Sequence, residues 1–221
     1  MNLAEAVEKR HSVRQYSNKP IEKEAADSLL AEIEKWNGVS GLHMQLVLND
    51  PDCFQGFFAK YGAFKNPRNY IALVGKNAPD LAEKCGYFGE KLVLKAQQLG
   101  LNTCWIGGTY QKGKCRARVE PGEKLKLIIL AGYGETQGQS RKTKPIDALC
   151  KVEGTMPDWF NKGMEAVQLA PTAINQQRFR FTLMGNKVKA TALLGPLTKV
   201  DLGIAKYHFE IGARDGNWEF E

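Results

Sequence analysis

The sequence predicts an α+β chain of two similarly patterned halves, and three observations carry that reading. Phe88, Leu92, Val93, Ala96 and Leu99 recur at helical spacing, so 86–99 is expected to be a core helix around which the rest is organised. The near-continuous apolar run at 70–74 reads as a central strand covered on both faces, and 125–131 as another strand. The order helix, broken loop, strand, long helix occurs twice, over 24–99 and again over 157–213, with Tyr87-Phe88-Gly89 and Asp201-Leu202-Gly203 opening the two long helices in parallel fashion. Identity between the copies is slight. The shared order nonetheless predicts two halves about a pseudo-twofold axis, with the long helices near the middle.

Taken in order, Asn2 caps a first helix and Glu5 complements its amino end. Residues 10–16, Arg-His-Ser-Val-Arg-Gln-Tyr, read as an extended segment with Val13 and Tyr16 inward and a cationic outer side. That outer side suits either a phosphate or plain solvent. A second helix is expected over 22–35, broken by Asn37-Gly38 and Gly41, followed by a strand in which Met44, Leu46 and Leu48 alternate. Phe54, Phe57, Phe58, Tyr61 and Phe64 form a core or pocket wall. Pro79 opens the organising helix at its first position, and Gly100 supplies a left-handed stop. A short strand over 101–106 then runs into Gly107-Gly108, a turn that lets a flat ligand approach the backbone. The four cations of 112–118 read as solvated surface or as a contact for a nicotinamide nucleotide phosphate, and Arg141-Lys142-Thr143-Lys144 is a second basic cluster. Polar, broken composition between 145 and 154 divides a first half, 1–150, from a second, 151–221, within one unit. In the second half a helix over 157–169 ends in Ala-Pro-Thr-Ala-Ile-Asn-Gln-Gln, and Phe179 and Phe181 alternate through a strand. Gly185-Asn186 turns a hairpin into 188–194, and a helix over 201–213 takes Asp201 as its cap.

The composition is that of an ordinary globular chain, 43% hydrophobic and 25% charged over 221 residues. No apolar run reaches the roughly 20 residues that span a bilayer, and the first ten residues lack the apolar centre of a signal peptide, so a cytoplasmic protein without a membrane partner is expected. Five cysteines without a C-x-x-C pair predict reduced thiols and no metal site. A net charge of +7 favours an anionic partner. Nucleic acid is not expected, because the aromatics lie in apolar periodic patterns and not among the cations.

Four stretches read together resemble the FMN-dependent nitroreductase family. They are Arg10-His11-Ser12-Val13-Arg14-Gln15-Tyr16, the organising helix with its exit Leu-Gly-Leu-Asn-Thr-Cys-Trp-Ile-Gly-Gly, Arg141-Lys142, and Ala170-Pro171-Thr172-Ala173-Ile174-Asn175-Gln176-Gln177. Ordinary members carry the last motif soon after the first and receive it at the flavin from a dimer partner. Here 36–41 does not match it and the motif lies in the second half, which resembles the single-chain, pseudo-dimeric branch of the Thermotoga type. The resemblance implies a mixed, mainly antiparallel sheet flanked by helices, with one FMN per chain in a monomeric pseudo-dimer.

By the same resemblance Arg10, His11, Ser12 and Arg141 hold the FMN phosphate with Lys142 close by, and Arg14 reaches the pyrimidine edge of the ring. Pro171, Thr172, Ala173 and Asn175 line the ring from the second half, and Trp105, Ile106, Gly107 and Gly108 supply backbone along its other side. The implied activity is ping-pong reduction of nitroaromatic or quinone-like small-molecule acceptors by NADH or NADPH. No side chain is assigned as a catalytic acid or base, since the cofactor carries the redox step. The same grip would serve a non-catalytic flavin sensor or carrier.

Overall fold

Helix α1 (Leu3–Lys9) starts on the capping box its sequence predicts. Asn2 Oδ1 accepts from Glu5 N at 2.9 Å, and Glu5 Oε2 accepts from Asn2 N at 3.2 Å. The chain then runs extended. Val13 N donates to Thr103 O and Tyr16 N to Lys65 O, which turns Val13 and Tyr16 into the core. A computed structural model of the chain describes residues 1–55 and 61–221; Phe57 and Phe58 of the predicted aromatic set lie outside them.

Helix α2 (Lys23–Ser40) runs through Asn37-Gly38, past the predicted break. Asn37 keeps helical backbone while its side chain pairs with the returning chain, donating to Met44 O and accepting from Met44 N, both at 2.9 Å. Gly41, at φ 69°, is the actual stop. Strands β1 (Gln45–Val47), β2 (Tyr70–Lys76), β3 (Asn102–Ile106) and β4 (Glu123–Gly132) form an antiparallel sheet in the order β1-β2-β4-β3, so the apolar run at 70–74 is central as expected.

Helix α3 (Leu81–Gln98) is the organising helix. Its cap is Asp80, so Pro79 stands just outside the helix and not at its first position, and Gly100 supplies the left-handed stop at φ 78°. Consecutive Leu92, Val93 and Leu94 are all buried, so the helix is enclosed on most sides, beyond the single stripe predicted. Of the basic run at 112–118, Lys112 Nζ donates to the carbonyls of Leu125 and Lys126, Arg116 pairs with Asp50 and Asp52, and Arg118 with Glu120.

After the first sheet come the single turn α4 (Ile146–Leu149) and strand β5 (Cys150–Val152), followed by α5 (Asp158–Leu169). Strands β6 (Phe179–Met184) and β7 (Lys187–Ala192) make the predicted hairpin around Gly185-Asn186, α6 (Thr198–Gly212) follows, and β8 (Glu219–Phe220) closes the chain. The second sheet is ordered β5-β6-β7-β8, with β5 and β8 added in parallel at its edges. Strand β7 stops before Leu193 and Leu194, which are exposed. Helix α6 begins three residues before Asp201, with Leu197 as its cap, so Asp201 is not the cap the sequence suggested.

The two long helices do meet in the middle, through glycines. A Cβ on Gly86 would fall on the Val200 carbonyl oxygen and lie 3.1 Å from Ile204 N. One on Gly203 would fall on the Glu83 carbonyl oxygen and lie 2.7 Å from Tyr87 N. The contact is reciprocal, because each glycine meets the residues three before and one after the other. Its register is Gly86 against Gly203; Gly89, which the motif comparison aligned with Gly203, instead packs on the Trp105 ring. One apolar cluster runs through both halves, joining Leu73 and Leu92 to Phe160, Phe181 and Phe209.

Candidate functional site

A crevice of about 560 Å³ opens where the beginning of the chain meets its second half. Residues 10–15 form one wall, Thr136, Gly138 and Gln139 a second, and Arg141 with Pro171, Thr172, Ile174 and Asn175 a third. Ser12 and Asn175, far apart in sequence, therefore face one space. A second crevice of about 370 Å³ adjoins it, sharing Ser12, Arg14, Pro171, Thr172 and Ile174 and adding Trp105, Ile106, Gly107, Gly108 and Ala173. Tyr61, Phe64, Leu197, Val200, Asp201 and Ile204 complete this largely apolar end. Every residue singled out from the sequence lines one or both crevices except Lys142. Its side chain is exposed, and its carbonyl accepts from Asn175 Nδ2 at 2.9 Å and Gln177 Nε2 at 3.2 Å.

The cationic end is built on the C-terminus of α5. Arg10 Nη2 donates to Leu169 O at 3.4 Å, and Arg141 donates to the carbonyls of Gln168, Leu169 and Ala170 and, through Nε, to Asn175 Oδ1 at 2.9 Å. Two guanidinium groups thus sit where the helix dipole is negative. With five N–H donors on a guanidinium, most of those on Arg141 are spent clamping the loop. Burial, followed by repulsion from Arg10, lowers Arg141 to about 10. Burial likewise lowers Arg10, against the pull of Glu90, and lowers His11, with Arg10 adding to the effect. Arg14 is exposed at the junction of the two crevices.

Behind this wall lies a buried polar network that the sequence did not disclose. Glu90 of α3, 0% exposed, accepts from Trp105 Nε1 at 2.9 Å, faces His208 Nε2 of α6 at 3.0 Å, and lies 3.8 Å from Arg10 Nε. His208 Nδ1 faces the Ala166 carbonyl at 3.0 Å. Both imidazole nitrogens therefore face oxygen atoms, one on each of α5 and α3. The network ties both crevice walls to both long helices. Its only sequence signal was an acidic residue at helical spacing from Gly86 and Val93, on an inward face.

The loop after α5 is strained. Ile174, Asn175 and Gln177 adopt φ of 47°, 55° and 46°, and Ile174 is 89% exposed, with an apolar β-branched side chain projecting over both crevices. Such a conformation persists only when its surroundings over-determine it. Here Thr172 Oγ1 accepts from Gln177 N at 3.1 Å, and Asp201 accepts from Ala173 N at 2.9 Å and from Gln176 Nε2 at 2.8 Å. Asp201, read from sequence as a helix cap, is the clamp of this loop.

Burial raises Asp201 to about 6, only partly opposed by those two hydrogen bonds. A folded value above the unfolded one means that protonation stabilises the fold below pH 4, and that this contribution is lost as pH rises through about 6. Asp201→Asn should therefore gain stability relative to the parent between pH 4.5 and 8, on the order of 2–3 kcal/mol at 1.36 kcal/mol per pKa unit. Urea unfolding at the two pH values measures it, and a difference that does not change with pH would refute the assignment.

Among the described residues no helix is long and apolar enough to cross a membrane, and no group of three or more His, Cys, Asp or Glu side chains could hold a metal ion. No curated protein matches the chain. A structure described as a "putative nitroreductase" from Thermotoga maritima matches with a TM-score of 0.70 at 26% identity, covering 97% of this chain and 85% of that one. Similar in fold, at 18% identity and a TM-score of 0.55, is a "putative nitroreductase in complex with FMN" from Desulfovibrio desulfuricans, with 71% of this chain and 99% of that one covered. The family model described as "Putative TM nitroreductase" matches residues 2–213, and with nearly the whole length matched and the expected fold in place, the chain belongs to that nitroreductase family.

Proposed function

We propose that the chain is an FMN-dependent oxidoreductase that takes hydride from NADH or NADPH and reduces nitroaromatic or quinone-like acceptors in a ping-pong sequence. The observation that carries this reading is the pair of joined crevices, which bring Arg10–Arg14 and Thr172–Asn175 to one space with a cationic end and an apolar end. Their combined size lies in the range of cofactor sites. The donor set fits a phosphate-bearing tricycle: the cationic end is lined by Arg10 and Arg141, with the Ser12 hydroxyl and His11 imidazole beside them. The similar structure described as in complex with FMN supports the same cofactor.

FMN, when bound, supplies the hydride chemistry. The chain's own residues then bind and orient. Ser12 and His11 donate to the phosphate in the field of Arg10 and Arg141. Arg14 places positive charge between the two crevices, where it favours an anionic ring. Leu197, Val200 and Ile204 exclude water from the apolar end, where donor and acceptor would sit in turn. The second half supplies in the same chain the loop that a dimer partner would bring, giving one FMN per chain.

Titration of the purified protein with FMN should saturate at one per chain, and anaerobic NADPH should bleach the bound flavin. Failure to take up FMN would overturn the cofactor, while uptake without bleaching by NADPH or NADH would favour a carrier or sensor. Arg14→Ala removes an exposed cation without disturbing the core, and should weaken FMN at least about tenfold, the equivalent of one charge-assisted hydrogen bond. Unchanged affinity would remove Arg14 from the site.

A further inference from the structure

Away from the crevices, two short 3-10 turns, Asp52–Phe54 and Lys112–Lys114, pack together and bring two cysteines into one apolar cluster. Gln111 bridges them. Its backbone N donates to Cys53 O at 2.8 Å, and its carbonyl oxygen accepts from Cys115 Sγ at 3.7 Å. Cys53 is fully buried and Cys115 half-buried, so of the two residues it is Cys115 that meets solvent.

The surroundings are unusually polar for a core. Tyr70 donates its hydroxyl to Asp50 Oδ2 at 2.5 Å, and Arg116 N donates to the same carboxylate oxygen at 3.1 Å. Among the described residues, four buried side-chain polar atoms lack a hydrogen-bond partner, and three of them, Asp50 Oδ1, Tyr110 Oη and Gln111 Oε1, gather here. Nothing in the proposed flavin chemistry uses them. We propose that Cys53 and Cys115 are a reversible dithiol–disulfide site, oxidised by a hydroperoxide that enters at Cys115 and resolved by the buried Cys53.

The roles follow from position. The neighbouring Cys115 thiol first, and burial second, push Cys53 up, while the Cys53 thiol holds Cys115 below the ordinary thiol value. In the first step the Cys115 sulfur attacks a peroxide oxygen, the O–O bond breaks, and a sulfenic acid forms as the other oxygen leaves with the thiol proton as water or alcohol. In the second the Cys53 sulfur attacks the sulfenic sulfur, the S–S bond forms, and hydroxide leaves with the Cys53 proton as water. The two thiols together give two electrons to the peroxide, and a dithiol reductant restores them.

Treating the purified full chain with hydrogen peroxide, then denaturing and counting thiols, should lower the free thiols from five to three. Peptide mass mapping without reduction should find Cys53 joined to Cys115, and dithiothreitol should restore five. Cys53→Ser should accumulate a sulfenic acid on Cys115 that dimedone traps. Five persistent thiols, a linkage between other cysteines, or oxidation of Cys115 beyond sulfenic acid in the parent chain without a linkage would each overturn the proposal. The readout needs no flavin, so its outcome is independent of the oxidoreductase reading.

Discussion

Glu90→Leu should destabilise the fold by about 3–5 kcal/mol, the cost of removing one partner from a buried ion pair. The carboxylate is fully enclosed and answers three groups at once, the Arg10 guanidinium, the Trp105 indole N–H and the His208 ring. Leucine fills comparable volume, so the loss reports stranded polar groups and not a cavity. The expected partner effect is as informative. Arg10→Met in the Glu90→Leu background should recover much of the loss, because a buried pair replaced by apolar side chains is often neutral or better. Urea denaturation of the four proteins closes this double-mutant cycle. Additive losses would show that Arg10 and Glu90 are not coupled, and a single-variant loss below about 1 kcal/mol would show that Glu90 is hydrated.

That network also marks where sequence reading stops. Local chemistry was legible wherever the relevant partner lay within a few residues, as in the Asn2/Glu5 cap, the Gly100 stop and the inward Val13 and Tyr16. The convergence of residues 10–14 with 171–175 came from motif resemblance, since nothing in either stretch states that the other will face it. Asn37 was misread because its side chain bonds Met44 and leaves the helical backbone undisturbed. Asp201 was misread because an acidic residue near a helix start suggests a cap, whereas its hydrogen-bond partners, Ala173 N and Gln176 Nε2, lie on a loop from an earlier part of the chain. The left-handed backbone at Ile174 has no local signal at all, because a β-branched residue is among the least suited to it.

Gly203→Ala should be costly for the opposite reason, addition of one carbon to a contact with no room. Its Cβ would fall on the Glu83 carbonyl oxygen and lie 2.7 Å from Tyr87 N, both backbone atoms of α3 that cannot rotate aside. Alanine improves helix propensity by about 1 kcal/mol, but overpacking of this kind costs about 1–3 kcal/mol and sometimes more, so a net loss is expected. Gly86→Ala meets Val200 O and Ile204 N from the other side and should behave alike. The double variant should lose less than the sum, since helices parted by the first methyl leave room for the second. Gly38 is the control: it lies inside α2 with nothing within 4 Å of its would-be Cβ, and Gly38→Ala should stabilise by up to about 1 kcal/mol. Thermal melts separate the cases by sign, and a neutral Gly203→Ala would mean that the helices do not cross this closely. Because Leu197, Val200, Asp201 and Ile204 of this cap and helix also wall the apolar crevice, displacement of α6 should loosen FMN uptake together with stability. Gly38→Ala, on a helix that contributes no wall to either crevice, should leave flavin uptake unchanged.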